Sequence, residues 1–454
     1  MLRVAVAVLT AAVVLAPSGG VAAKPPVRLT LDYRIPARYG LDRNHDGLVD
    51  SVATAAQVSP TGWPALVTLR WPGGGFCTGT YRWTIGGKPN AFVQQRSPVT
   101  GLPTCTFAFA RFPALDHPYR VNVVATRGGV TGRGQVTVTI RDQLVVGLGD
   151  STASGEGNPD HGVVIVRWQD RRCHRSTKGF EALTAARLEA ASTKSSVTFV
   201  GLACSGASIP TGLLGPYAGI VPAGGVVLPP QVDAMKALVG SRRPDAVLVS
   251  IGINDLGFGT VARFCFDDGV DQAAAATVDC WTRPYPTAAS PATLRDFVRA
   301  RAATLPSRYA QLADALQKAG IAPSRVYVTE YPDPTRDQNG SPCNPLIPYL
   351  DSRPFGFGVR GTITQAEATE AEGELVAPVN GALQAAAAAY GWRLVSGIAA
   401  QSATHGLCAA TPWFRSVYDS LVTQHDVLGT LHPNVQGQQA AASLVVSALK
   451  ARQG

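Results

Sequence analysis

Apolar and polar residues alternate in two different ways along this chain, and the change comes near residue 142. From about residue 27 to that point the pattern has period two, as in half-buried β-strands, and no long helical stretch interrupts it. The alternating segments are 27–33, 65–71, 81–85, 106–112, 119–125 and 134–140. Several short strands of this kind predict a small all-β sandwich domain over residues 24–142.

From residue 143 onward, patterns typical of buried strands alternate with helical ones. The apolar runs of strand length are 143–148, 196–203, 245–251, 325–331 and 392–396. The helical patterns are 180–191, 232–239, 292–318 and 366–390, with a last helix after Pro433. This alternation predicts a second domain, 143–454, with a parallel sheet covered by helices on both faces. Catalytic groups in such a sheet are expected at the carboxyl ends of the strands.

The first 23 residues have the pattern of a secretory signal peptide. Arg3 supplies the positive start, Val4 to Leu15 an apolar run, and Val21-Ala22-Ala23 a small-residue cleavage site. The run is too short for a membrane span, which needs roughly 20 apolar residues. We therefore expect a secreted, extracellular protein whose mature chain begins at Lys24.

Charge and composition favour a soluble exported protein. The 454 residues carry a formal net charge of +9, but the basic residues are scattered rather than clustered. This argues against nucleic-acid binding, and we expect a monomer. A weak attraction to an anionic membrane or cell-wall surface stays open.

All eight cysteines fall in the mature chain. An even number in an exported protein predicts disulfides, although eight cysteines formally allow about 105 pairings. No two have the C-x-x-C spacing, which disfavours a zinc site. Proximity in sequence suggests the pairs Cys77–Cys105, Cys173–Cys204, Cys265–Cys280 and Cys343–Cys408.

A short acidic loop near the N-terminus has the spacing of a calcium site. Its oxygen-bearing residues are Asp42, Asn44, Asp46 and Asp50. Gly47 lies where a calcium loop turns sharply, and the spacing resembles the loops of dockerin and thrombospondin type 3 repeats. An EF-hand would require Glu where Ala53 lies. A structural Ca²⁺ and an Asx-rich surface turn therefore remain two alternatives.

Three residues that follow strands and one histidine before the last helix have the chemistry of acyl transfer. Ser151 follows the first strand of the second half, Gly206 the second strand and Asn254 the third. A serine can act as nucleophile, and a glycine N–H and an asparagine amide can donate to an oxyanion. His432 precedes the last helix, and an imidazole suits the role of base because its pKa lies near neutrality.

This ordered set resembles the SGNH (GDSL) hydrolase family. The segments Gly149–Gly157 and Leu431–Gln438 are especially similar to secreted actinobacterial lipases and esterases of that family. The resemblance covers 143–454 and implies a flavodoxin-like three-layer αβα fold without a catalytic cofactor. It also implies catalytic roles for Ser151, Gly206, Asn254 and His432, and three disulfides in this half resemble those enzymes. In the N-terminal half, 115–123 loosely resembles the entry to a late strand in Ig-like and PKD-like modules.

One position departs from the family pattern. Members usually carry an aspartate three residues before the histidine, to orient the imidazole. This chain has Gly429 there. Our first hypothesis is a Ser–His dyad oriented by the Gly429 carbonyl, and our second is that Asp426 curls back to the ring.

The sequence therefore predicts a secreted serine esterase or lipase that acts on an ester or lipid substrate. The alternative from another class is a non-catalytic binder of a surface glycan or lipid, with a degenerate hydrolase domain. The sequence does not show which acyl chain or which alcohol the substrate ester contains. Apolar residues after the second strand can line an acyl groove or pack within their own loop, namely Ile209, Leu213, Leu214 and Ile220.

Overall fold

A computed structural model describes residues 25–42, 45–51, 54–267, 279–285, 292–344 and 364–451. The chain divides into two compact units. The first takes in the chain up to Tyr33 together with Leu66–Phe109 and Pro118–Val138. The second takes in Arg34–Ala65, Ala110–His117 and the chain from Thr139 onward. The predicted domain boundary at residue 142 stays a prediction.

The N-terminal strands form two sheets. The strands are β1 (Val27–Arg28), β2 (Thr30–Arg34), β3 (Trp63–Arg70), β4 (Thr80–Ile85), β5 (Lys88–Pro89), β6 (Val93–Arg96), β7 (Pro103–Phe112), β8 (Pro118–Arg127) and β9 (Val130–Thr139). One sheet has the order β1-β9-β8-β4-β5 and the other the order β2-β3-β7-β6. The β4–β8 and β6–β7 pairs are antiparallel, whereas the short pairing of β1 with β9 is parallel.

Aromatic side chains pack the first unit between its sheets. The ring of Trp83 on β4 lies 5.0 Å from the ring of Phe107 and 5.2 Å from that of Phe109, both on β7. All three side chains are buried. These contacts join strands of different sheets, as expected for a sandwich core.

The second unit is built on one parallel sheet, as predicted. Its strands are β10 (Asp142–Gly149), β11 (Ser196–Gly201), β12 (Ala246–Ser250), β13 (Val326–Thr329) and β14 (Arg393–Val395). Their order is β11-β10-β12-β13-β14, and every neighbouring pair is parallel. This is the flavodoxin-like order, in which the chain reverses direction across the sheet beside its first strand.

Helices cover both faces of this sheet. They are α1 (Ala55–Val58), α2 (Ser151–Ser154), α3 (Phe180–Ala190), α4 (Gln231–Val239), α5 (Phe258–Asp267), α6 (Leu294–Ala302), α7 (Leu305–Lys318), α8 (Gln365–Ala371), α9 (Ala377–Tyr390), α10 (Ile398–Ser402), α11 (Val417–Gln424) and α12 (Val435–Lys450). Side chains of α4, α7 and α9 join the core on one face, and those of α3 and α12 join it on the other. The arrangement is the predicted three-layer αβα fold.

Prolines divide two of the predicted helices. The pattern over 292–318 forms two helices, α6 and α7, because Pro306 at the start of α7 has no amide hydrogen for a continuous helix. The pattern over 366–390 is interrupted by a π-helical segment, Glu372–Val376, directly before Pro378 at the start of α9. The amphipathic period continued across both breaks, so it did not reveal them.

The structure pairs the eight cysteines into four disulfides. They are Cys77–Cys105, Cys173–Cys204, Cys265–Cys280 and Cys343–Cys408, the pairs suggested by proximity in sequence. Within the described part of the chain, no helix combines the length and the apolar character needed to cross a membrane.

A buried carboxylate fixes the start of the parallel sheet. Asp142 begins β10 and accepts hydrogen bonds from Ser196 Oγ at 2.5 Å and from Thr198 Oγ1 at 2.6 Å, both on β11. Arg242 donates to it at 2.6 Å, and Arg38 Nε lies 3.4 Å away. The carboxylate is therefore paired on every side and stabilises the junction of two strands and two loops.

We expect Asp142→Ala to lower the free energy of unfolding by about 3–5 kcal/mol, because it removes the carboxylate that balances two largely buried guanidinium charges. Urea unfolding followed by circular dichroism measures the change. The matched control is Asp314→Ala, which breaks an exposed pair with Lys318 and should cost no more than about 0.5 kcal/mol. Similar losses in the two variants would contradict this account.

Candidate active site

Ser151 lies at the carboxyl end of the central strand β10. The strand ends at Gly149, and Ser151 begins α2, where Asp150 caps the helix by accepting from the Thr152 amide at 3.0 Å. Gly149 has a φ of +151°, and a Cβ there would overlap the carbonyl oxygen of Ser250 on β12. Only glycine permits this close approach, which turns the chain sharply and leaves the Ser151 side chain at the edge of the sheet.

Gly206 and Asn254 follow the two strands that flank β10. Gly206 adopts a φ of +81°, and a Cβ at this position would overlap the hydroxyl of Tyr217. The Asn254 side chain donates one amide hydrogen to the Ala207 carbonyl at 2.9 Å, which fixes its orientation and leaves its second hydrogen available. Among the described residues, the backbone N–H groups of Ser151 and Gly206 have no hydrogen-bond acceptor.

His432 is held in the loop before α12. Its Nδ1 lies 3.1 Å from the Thr430 carbonyl oxygen, and its own carbonyl accepts from the Arg415 amide at 2.9 Å. An Nδ1–H that donates to a carbonyl leaves Nε2 unprotonated, the tautomer of a general base. The preceding Leu431 has a φ of +66°, an uncommon value for a branched side chain, so the loop stores backbone strain beside the histidine.

Backbone carbonyls, rather than a carboxylate, face the His432 ring. The Thr430 carbonyl oxygen accepts from Nδ1, and the Gly429 carbonyl of our first hypothesis, which accepts the backbone N–H of His432 at 3.1 Å, also acts to raise the pKa of the ring. The Asp426 carboxylate accepts from the Leu428 amide at 2.8 Å and from Gln424, and no hydrogen bond joins it to His432 within the described chain. The orienting roles of Gly429 and Asp426 stay hypotheses.

These four residues line one cavity of about 450 Å³, which we call the large cavity. Ser151, Gly206, Asn254 and His432 all contribute to its wall, although they come from four separate loops of the second unit. No hydrogen bond between Ser151 Oγ and His432 Nε2 is formed among the described residues. Such contacts are often long without substrate and tighten when it binds.

Sequence reasoning missed a buried ion pair near the histidine. Glu156 and His174 are both buried, and His174 Nδ1 lies 2.9 and 3.0 Å from the two carboxylate oxygens. Burial opposes both charges, but the contact offsets it, so the pKa of Glu156 is lowered and that of His174 is raised. Gln424 Nε2 also donates to this carboxylate at 2.8 Å.

The charges of Glu156 and His174 both affect the pKa of His432. Burial is the largest influence on His432 and lowers its pKa. The negative charge of Glu156 acts in the opposite direction, as do the Thr430 and Gly429 carbonyls, whereas His174 adds to the lowering. Glu156 therefore favours a positive charge on the histidine without touching it, the electrostatic role of the missing aspartate.

Two side chains tie the serine segment to the histidine loop. Asn158 donates to the Pro433 carbonyl at 2.8 Å. Arg415 donates from Nε to the Gly157 carbonyl at 3.0 Å and from Nη2 to Asn158 at 3.1 Å. Because the Arg415 backbone also pairs with Leu431 and with His432, one residue connects the two halves of the site.

The aspartate before the serine is also buried. Asp150 accepts a hydrogen bond from the Tyr331 hydroxyl at 2.5 Å in addition to its bond from Thr152. Burial raises the pKa of Asp150 to about 7, although both hydrogen bonds act to lower it. A carboxyl group that titrates near neutrality therefore lies next to Ser151.

The calcium prediction concerns a loop that the structure describes in part, since Asn44 lies outside the described residues. Asp42 accepts the backbone N–H groups of Asp46 at 3.1 Å and Gly47 at 2.9 Å, and Asp46 accepts the Leu48 amide at 2.8 Å, the hydrogen bond of an Asx turn. Among the described acidic, histidine and cysteine side chains, Asp42, Asp46 and Asp50 do not form a cluster with ligand atoms within 4.8 Å of one another. Calcium binding stays a prediction.

We left two alternatives for the four apolar residues named after the second strand, an acyl groove or packing within their loop, and none of the four is exposed. Ile209 and Leu213 are fully buried there, whereas Ile220 lines the large cavity. The apolar character of these side chains predicted that they are buried, but it did not show which of them pack in the core and which line a cavity.

Comparison with known proteins gives a family match. Residues 148–440, more than half of the chain, match the model of the GDSL-like Lipase/Acylhydrolase family. No curated protein is significantly similar in sequence. A solved carbohydrate esterase, described as having an active site with divergent catalytic and non-catalytic binding functions, aligns with 95% of this chain and 99% of its own. Its sequence identity is 12% and its TM-score is 0.31, so it carries no argument here.

We expect the wild-type protein to lose stability relative to Asp150→Asn as the pH rises from about 4 to 7. The folded chain holds a proton on Asp150 up to about pH 7, whereas the unfolded chain releases it near 3.8. Folding therefore takes up a proton in this window, and the difference between the variants can reach about 4 kcal/mol above it. Denaturant unfolding at several pH values measures it. A difference that does not vary with pH would show that Asp150 is ionised throughout.

Proposed function

The chain belongs to the GDSL-like lipase/acylhydrolase family, and we propose that it is a secreted serine ester hydrolase, an esterase or lipase. One observation carries the proposal. A buried serine and a histidine in the base tautomer line the same cavity as an amide side chain and two backbone N–H groups that lack acceptors in the described chain. Secretion is supported by the signal-peptide pattern and by four disulfides, which persist in oxidising compartments.

The reaction would proceed by acyl transfer through Ser151. His432 Nε2 takes the hydroxyl proton, and the oxygen attacks the ester carbonyl carbon. The resulting oxyanion accepts from the N–H groups of Ser151 and Gly206 and from the free hydrogen of the Asn254 amide. His432 then gives its proton to the departing alcohol. A water molecule activated by the same nitrogen releases the acid and restores the serine.

The environment of His432 suits this cycle. The ring must be neutral to accept the proton, and burial favours the neutral form. It must then carry a positive charge in the transition state, which Glu156 and the Thr430 carbonyl stabilise. Phe258 packs edge-on at 6.1 Å between ring centroids and limits movement of the imidazole.

We expect Ser151→Ala to abolish hydrolysis of p-nitrophenyl esters and Asn254→Ala to lower kcat by about 10²–10³, because the variant loses one oxyanion donor. Steady-state assays with acyl chains from acetate to palmitate measure both and separate an esterase from a lipase. Ser447→Ala, an exposed serine on α12, is the control and should retain full activity. A folded wild-type protein that hydrolyses no ester would favour the alternative of a glycan or lipid binder.

We also expect Glu156→Gln to lower kcat and to move the acidic limb of the kcat/KM profile to lower pH. Activity rises as His432 loses its proton, and Glu156 raises that pKa more than His174 lowers it. The amide removes the carboxylate and the stabilisation of a charged His174, so the net change lowers the pKa of His432. A pH series measures the shift, with thermal melting to confirm the fold.

Asp426→Asn is the matched control for this test. It removes a carboxylate whose charge acts on Glu156 and His174, while its remaining oxygen can still accept from Leu428. We expect an unchanged acidic limb and a kcat near that of the wild type. A loss of kcat by orders of magnitude would instead restore Asp426 as the residue that orients His432.

A further inference from the structure

A second, smaller cavity adjoins the reacting atoms. It has a volume of about 90 Å³ and is enclosed mainly by apolar side chains of α5, of the α8–π-helix region and of the loops around them. Val261, Trp281, Leu375 and Phe414 are buried side chains of its wall. We call it the small cavity. Ser151 and His432 line it as well as the large cavity, so the catalytic pair lies where the two meet.

The polar groups in the wall of the small cavity already have partners. The Tyr331 hydroxyl donates to Asp150, and the Asp333 carboxylate accepts from Thr335 at 2.9 Å and from Arg336 at 2.8 Å. Glu367 accepts the Cys280 amide at 2.8 Å. A ligand in this space therefore meets hydrocarbon and paired polar atoms, and apolar cavities of this type take up apolar groups.

The oxyanion donors decide how an ester would lie. Gly206 and Asn254 line the large cavity but are not in the wall of the small one among the described residues. With its carbonyl oxygen at these donors, an ester attacked by Ser151 extends its acyl chain and its alcohol in two different directions. One of them enters the small cavity, and the other remains in the large one.

We propose that the small cavity binds the acyl chain and selects short-chain acyl esters. The inference rests on the proposed function. The acyl chain stays attached to Ser151 until water arrives, and an apolar site whose lining residues are all buried or half-buried keeps that chain out of water while the intermediate persists. The alcohol leaves earlier and needs a path to solvent, and the large cavity supplies one because it includes exposed positions such as Arg263, Val427 and Leu428.

The volume of the small cavity limits the length of the acyl chain that it can hold. An apolar protein cavity of about 150 Å³ takes up benzene, so 90 Å³ accommodates about three or four carbon atoms. Acyl chains near butyryl therefore fill the small cavity. Ala371 lies in its wall and is half-buried, so Ala371→Leu can place three more carbon atoms in this space. Leu375, also in the wall, lies one helical turn further on, and Leu375→Ala enlarges the cavity.

The test varies the acyl chain and the alcohol of the ester separately. In the wild type, kcat/KM should rise about fourfold per methylene from acetyl to butyryl, the effect of burying each group at about 0.8 kcal/mol, and fall for octanoyl and longer chains. Ala371→Leu should make acetyl the best substrate and reduce kcat/KM for butyryl more than tenfold. Leu375→Ala should move the optimum to longer chains. Acetate esters of ethanol, butanol and hexanol should keep their relative rates in both variants.

Controls separate the possible failures. Ala389→Leu, on the exposed side of α9, adds the same side chain away from both cavities and should leave every ratio unchanged. If Ala371→Leu alters the alcohol series and not the acyl series, the assignment of the cavity is overturned. If hydrolysis requires Ser151 but Ala371→Leu changes neither the acyl series nor the alcohol series, the inference about the acyl site fails while the proposed function stands.

A binding measurement tests the cavity without turnover. Methyl butyrate should raise the melting temperature of Ser151→Ala and should not raise that of Ser151→Ala with Ala371→Leu. If wild type shows no esterase activity but this difference is present, the proposed function fails and the small cavity remains a short-acyl site. Equal responses of the two variants to methyl butyrate overturn the inference.

Discussion

The parallel register at the ends of β10, β11 and β12 is the constraint on which the site depends. The Asp150 amide donates to the Ser250 carbonyl at 3.0 Å, and the Cys204 amide donates to the Gly149 carbonyl at 3.0 Å. These two bonds align three strand ends, so the loops that follow begin side by side. Ser151, Gly206 and Asn254, which together span about a hundred residues in sequence, then meet without any loop having to cross the sheet. Gly149 makes this possible because any side chain there would overlap the neighbouring strand.

The second unit buries more charge than a simple apolar core would, at both ends of its sheet. Asp142 opposes Arg242 and Arg38 at the start of β10, whereas Asp255 accepts from Arg308 at 2.6 Å after β12 and the Glu156 pair lies near His432. Each ion loses hydration, and each is compensated by a fixed partner in a region of low dielectric. Such groups hold their geometry closely because any displacement leaves a charge without water or counterion. The loops that carry the candidate site are therefore held by paired ions as well as by the sheet.

The sequence predicted the second unit well for a physical reason. Strands buried on both faces are short continuous apolar runs, and the five runs had no competing interpretation as surface helices. The placement of the serine, glycine and asparagine followed from the strand ends, and that of the histidine from the start of the last helix. Other parts carried no comparable signal. The acceptor of His432 is a backbone carbonyl, which every residue has, and the strained conformation of Leu431 cannot be read from its side chain. The partnership of Glu156 with His174 depends on how an irregular loop folds. The small cavity is formed by helices about a hundred residues apart, and its volume depends on how closely they pack.

The attachment of the histidine loop through Arg415 and Asn158 has a consequence for biogenesis. The serine is synthesised early in the second unit, but the histidine follows nearly three hundred residues later, directly before the last helix, which packs on α3. A partly synthesised chain can therefore build most of the sheet and still lack the histidine beside the serine. The proposed active site is complete only at the final step in the assembly of this unit.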